Sequence, residues 1–179
     1  MDALEFVSEL KKIPNKERIS QLKKIGLDEG FIEEYIGCYT FKQIGNKKID
    51  NPIGNLANNY DGTSVAIGMI TFDINWVEDD SYFFFGKFEV DLLAINKKTG
   101  EIKLLDHENL EYVMQDCALN GSNFLCAILK AATFLEKLPY DENLANDQKQ
   151  ICEMAIACSN IAGGDKYLGF YKTLLGCFE

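Results

Sequence analysis

The feature that most limits what this chain can fold into is the run YFFFGKFEVDLLAINKKTGEIKLL, residues 82–105. Its outgoing half is apolar at nearly every position from Val90 to Ile95 except Asp91, as expected of a central strand. The run is one long strand, or two with a break at Gly86. Asn96, the two lysines and Thr99 suit a type I turn, and Gly100 supplies the positive φ that closes a short hairpin loop. On the return, Ile102 and Leu104 alternate with Glu101 and Lys103, the pattern of a strand buried on one face. Such a stretch commits the middle of the chain to an antiparallel sheet.

The flanks read differently. TSVAIGMITF is a buried strand, and DINWVEDDS is a short strand followed by an acidic turn. Before them, ALEFVSELKKI has helical spacing through Leu4, Val7 or Phe6, Leu10 and Ile13, and Pro14 interrupts it. A second helix carries Ile19, Leu22 and Ile25 and stops at Gly26; a short third presents Phe31, Ile32, Tyr35 and Ile36 inward. After the sheet, GSNFLCAILKAATFLEKLP is a helix with Ser122 as its N-cap and Pro139 beyond its end. A further helix over DENLANDQKQICEMAIACSNIAGG stops at Gly163–Gly164, and a last short one is capped by Asp165. Strands bracketed by helical blocks predict an α+β fold with a mostly antiparallel sheet and a central hairpin, flanked by N-terminal and C-terminal helices. The 179 residues suit one domain, 1–179: N-terminal helices over 1–41, a Gly/Asn/Lys-rich loop over 42–62, the sheet over 63–107 and C-terminal helices over 108–179.

Charge narrows the range of partners. Residues 1–50 hold nine bases and nine acids, so the whole net charge of −10 lies in residues 51–179. No basic footprint for nucleic acid is visible, and an acidic surface repels polyanions and anionic membranes while favouring a basic protein partner. No apolar run reaches membrane-spanning length and no secretory signal opens the chain, so a cytoplasmic protein is expected. The six cysteines lie largely in apolar, helix-like settings with no CxxC pair, which predicts reduced thiols and no zinc knuckle.

The motifs that carry chemistry give little. His107, the single histidine, stands between Asp106 and Glu108. If the strand continues through them, those acids point away from the imidazole, which favours a structural or surface role. DENLAND, residues 141–147, superficially resembles a calcium loop, but it places Asn146 where glycine is wanted and Cys152 where glutamate is wanted. Phosphate loops and the nucleophile-elbow motif are absent, and the aromatic run Tyr82–Phe85 reads as core strand. We therefore expect no catalytic, cofactor-binding or metal residues, and no cofactor. WVEDDSY is the segment suited to partner contact: Trp76 as an aromatic anchor, with Glu78, Asp79 and Asp80 as carboxylates for a basic partner.

Three elements in this order resemble the SUKH superfamily of cell-wall assembly regulators and bacterial immunity proteins: GKFEVDLLAINKKTGEI, then LLDHENLEYV, then SNFLCAILKA. The similar positions are Gly86 to Ile95, Gly100, Asp106–His107–Glu108, and Ser122, Phe124, Ile128 and Leu129. The resemblance implies one α+β domain without enzyme activity, in which the Asp-His-Glu string is a fold element. It also implies an immunity protein that binds and blocks a polymorphic or contact-dependent toxin, such as a nuclease domain with a basic surface. Two other functions stay open: a small hydrolase using an acid pair or Cys117 with His107, and a regulatory protein-interaction scaffold.

Overall fold

A computed structural model describes residues 1–14 and 16–178, with the side chains of all of these except residues 16 and 74–76. Its α+β architecture is a meander of six antiparallel strands with helices on one face. The strands of the meander are β3 (Ala66–Ile67), β4 (Ile70–Glu78), β5 (Tyr82–Phe88), β6 (Asp91–Asn96), β7 (Ile102–Leu105) and β8 (Val113–Ala118), paired in sequence order. The predicted hairpin forms β6 and β7, in register at Ile95↔Ile102 and Leu93↔Leu104. Gly100 closes it at φ 76°.

Three sheet expectations need correction. TSVAIGMITF is not one strand: it turns at Gly68 (φ 57°) between β3 and β4, and β4 runs on through 73–78 instead of leaving them a separate short strand. The break in 82–96 falls at Glu89–Val90, where Glu89 takes φ 57°, and not at Gly86. Gly86 stays in β5 at a register shift, where a Cβ would collide with the Thr71 carbonyl of the neighbouring strand. The sheet also does not end at 107. Residues 113–118, expected in the helical block, form β8 along β7.

The segment 42–62, expected as loop, is largely structured. It holds β1 (Lys42–Gln43), helix α4 (Pro52–Asn59) and β2 (Tyr60–Asp61), with β1 and β2 paired. The Asn51 side chain caps α4 by accepting from the Gly54 amide, Pro52 occupies the first turn, and Ile53 and Leu56 bury its inner side. Buried Asn59 ties down the preceding stretch: its side chain accepts from the Lys47 amide (2.6 Å) and donates to the Lys47 carbonyl (2.8 Å).

The remaining helices are α1 (Ala3–Leu10), α2 (Lys16–Lys24), α3 (Glu29–Gly37), α5 (Gly121–Leu135), α6 (Glu142–Asn146), α7 (Gln148–Ala162) and α8 (Leu168–Leu175). On α1 the buried face is Ala3, Phe6 and Leu10, while Leu4 is exposed. Asn120, not Ser122, caps α5. Ser122 instead accepts from the amino terminus of Met1 at 2.6 Å. The last helix begins through a 3-10 turn, Asp165–Tyr167, without a side-chain cap, rather than under Asp165. Helices α5, α7 and α8 pack on one another and on the sheet. Aromatic contacts join the layers: Phe85 to Phe124 at 5.6 Å and Phe88 to Phe170 at 5.4 Å between ring centres. Cys152 on α7 and Cys177 after α8 are joined as a disulfide, Cα atoms 5.1 Å apart, which corrects the expectation of reduced thiols for this pair. The turn back from α7 into α8 brings together two residues 25 apart in sequence. Cys38, Cys117, Cys126 and Cys158 are free thiols.

Candidate functional site

Strand pairing fixes what the second face of the sheet presents. Directly opposed residues of antiparallel strands share a face. One row across that face is Lys87, Leu92, Leu105 and Val113; the next is Val77, Phe84, Ala94, Lys103 and Asp116. Phe84, Ala94 and Leu105, with Tyr82 and Leu92 against them, form a second apolar cluster separate from the main core. Among the described residues no helical side chain joins it. Val77 and Leu110 stand exposed beside it, at 62% and 39% of their full surface. They wall an open groove of about 410 Å³ whose floor includes Phe84 and Leu92 and whose polar lining is Thr63, Asp73 and Lys87.

Acids dominate the surroundings. Residues 63–118 carry eleven Asp and Glu against four Lys, so this sheet segment holds −7 of the chain's −10. Glu108 and Glu111 flank Leu110 in sequence, whereas Glu78, next to Val77, falls in the row of Phe83 and Ile95 on the helical face. At the β8 edge the charges pair off instead. Lys103 bridges Asp116 and Glu101, and Lys166 reaches the Glu101 carboxylate at 2.5 Å. Hydrogen bonds from Lys103 and Lys166 hold the Glu101 carboxyl at about 2. Burial alone would depress Lys103, but its bonds to Asp116 and Glu101 outweigh that and raise it.

The histidine serves the same face as a fastening. Strand β7 ends at Leu105, so strand alternation does not continue through Asp106 and His107 as supposed. The imidazole Nδ1 lies 2.9 Å from Asp91 Oδ1, and the His107 amide donates to the same oxygen at 3.2 Å. This pins the 106–112 connection, which carries Leu110, to the turn that opens β6. The Asp91 hydrogen bond raises the imidazole above its ordinary value. Ligand atoms of Asp91, Asp106 and His107 come within 4.8 Å of one another. All three groups have protein partners there: Asp91 holds the imidazole, and Asp106 accepts from the Glu108 and Asn109 amides. Cys117, the proposed thiol partner of His107, is fully buried in the main core, and burial pushes its thiol well up. A buried neutral thiol and an exposed, engaged imidazole do not make a nucleophile pair.

The predicted contact residues lie at the tip of the β4–β5 hairpin. Trp76 is in β4, and its side chain lies outside the described residues. Glu78 pairs with Lys97 at 2.7 Å, and the same ammonium donates to the Asp79 carbonyl at 2.5 Å. The Asp79 carboxylate accepts from the amides of Ser81 and Tyr82, both at 2.7 Å, and so builds its own turn. Asp80 is exposed at the apex. The structure thus gives Glu78 and Asp79 internal duties and brings together Val77, Phe84, Leu92 and Leu110, which the sequence reading did not single out. Their signal was a strand apolar on both faces; only the one-sided placement of the helices turns it into an uncovered strip.

No protein-family model, curated protein or solved structure matches the chain.

Proposed function

We propose that this chain is a non-enzymatic binding protein that works by covering a basic protein partner. Following its resemblance to the SUKH superfamily, the reading is an immunity protein that blocks a bacterial polymorphic or contact-dependent toxin, for instance a nuclease domain. One observation carries it: the sheet is clothed by helices on one face only, and its other face offers an apolar strip among acids. A nuclease needs a basic surface to hold its substrate, and an acidic inhibitor can occupy that surface. The buried Cys117 weighs against the hydrolase alternative that would use it with His107. No helix among the described residues is long and apolar enough to cross a membrane. A cytoplasmic site of action belongs to the proposal, but the Cys152–Cys177 bridge pulls against it, because such bonds persist mainly in oxidising compartments.

The proposal expects a large secreted protein to be encoded next to this chain, and the test is co-expression with that protein's C-terminal domain. The proposal requires a nanomolar complex and protection of the host cell. If the domain neither binds nor is silenced, the immunity reading is lost. Asp80→Lys, at the exposed apex, reports whether the hairpin tip shares in the contact.

A further inference from the structure

We infer that the groove between Val77 and Leu110 on the open sheet face receives a lysine- or arginine-bearing segment of a protein partner, an apolar side chain of that segment resting on Phe84 and Leu92. This rests on the binding-protein reading above and names the place and chemistry of contact. The floor is apolar and the walls, Val77 and Leu110, are exposed side chains without a covering helix. A cavity of about 410 Å³ is at the small end of ligand sites and suits an anchoring side chain better than a whole small molecule.

Charge selects the occupant. Asp73 lines the groove, and the exposed acids Glu108 and Glu111 flank its Leu110 wall in sequence. Among the described residues the lining holds one acid, Asp73, and one base, Lys87, so the excess negative charge comes from the rim. A second copy of this chain would bring another −10 against the same acidic segment, and nucleic acid or an anionic membrane would be repelled outright. A segment alternating apolar and cationic residues matches both the floor and the rim. The His107–Asp91 bond holds the 106–112 connection, so the Leu110 wall is in place before anything docks.

The experiment uses the full chain and a synthetic peptide of alternating leucine and lysine, with a leucine–glutamate peptide as control. Methyl and amide NMR should show saturable shifts at Val77, Leu92 and Leu110 with the lysine peptide only. Binding should weaken several-fold when salt rises from about 50 to about 300 mM. Leu110→Lys and Val77→Lys each alter an exposed wall residue; each should keep the melting temperature and weaken the peptide about tenfold. Equal binding of the acidic peptide, shifts centred elsewhere, or undiminished binding to both variants would overturn the inference. Concentration-dependent shifts at these residues without peptide would assign the face to self-association and overturn it as well. A toxin domain that binds wild type and both variants alike removes the groove and keeps the blockade. Peptide seated in the groove, with no toxin partner found, keeps the groove and removes the blockade.

Discussion

His107 shows how one residue can invite chemistry and serve as a fastener. Its Nδ1 and its amide both address Asp91 Oδ1, and the acid raises the imidazole above its ordinary value. A raised folded-state value means the fastening contributes most below the unfolded value of about 6.5 and fades as pH rises through the folded one. An NMR titration should place the His107 midpoint above that of a model histidine, and Asp91→Asn should return it to ordinary; an unchanged midpoint would show that Asp91 does not hold the ring. Tyr171 makes the opposite case. Among the described residues its buried hydroxyl has no hydrogen-bond partner, and burial drives it well above its usual value. Removing an unsatisfied buried hydroxyl relieves a desolvation cost, so Tyr171→Phe should stabilise by about 1 kcal/mol in urea unfolding. A loss of stability instead would point to an unseen bond. Sequence alone could suggest a structural histidine, from the absence of convergent ligands. It could not show that the partner is Asp91, sixteen residues away, because strand pairing brings them together.

The hairpin at 91–105 was legible because period-two alternation and a turn glycine agree over adjacent residues. Helix α4 was missed although Asn51 and Pro52 spell a helix start, since eight residues rich in Asn and Gly have weak intrinsic helicity and form through burial of Ile53 and Leu56. Strand β8 was missed because its six residues, VMQDCA, mix polar and apolar without clean alternation and gain their order from β7. The α5 cap shows two nearby residues in different roles: Asn120 accepts from the Asn123 amide, while Ser122 is engaged by the Met1 amino group. Asn120→Ala should therefore cost about 1 kcal/mol by thermal or urea unfolding, and an unchanged midpoint would move the cap elsewhere. The Cys152–Cys177 bridge closes a 25-residue separation around α7 and α8. Loop-closure entropy predicts a loss of about 3 kcal/mol on Cys177→Ser, or about 10 °C in melting temperature. A reductant should reproduce the drop in wild type and leave the variant unmoved; free thiols at both positions in native alkylation would refute the bridge.

Across the whole molecule, charge and shape are arranged asymmetrically. The first fifty residues are neutral, and the sheet segment holds most of the excess negative charge. Composition made the excess plain, but the open face needed topology, because helix count alone does not say on which side of a sheet the helices lie. A net charge of −10 on 179 residues repels itself, so raising sodium chloride from about 20 to about 500 mM should raise the melting temperature modestly; a fall would mean that the pairs at Glu101, Lys103 and Lys166 outweigh the repulsion. The meander has one more consequence, for synthesis. Each strand pairs with its immediate successor, so the sheet can zip up in chain order as it leaves the ribosome, without waiting for distant partners. The helices α5, α7 and α8 come last, so for a time most of the nascent sheet's helical face is bare as well. That interval, rather than the finished protein, is when the chain is most exposed to aggregation and most in need of a chaperone.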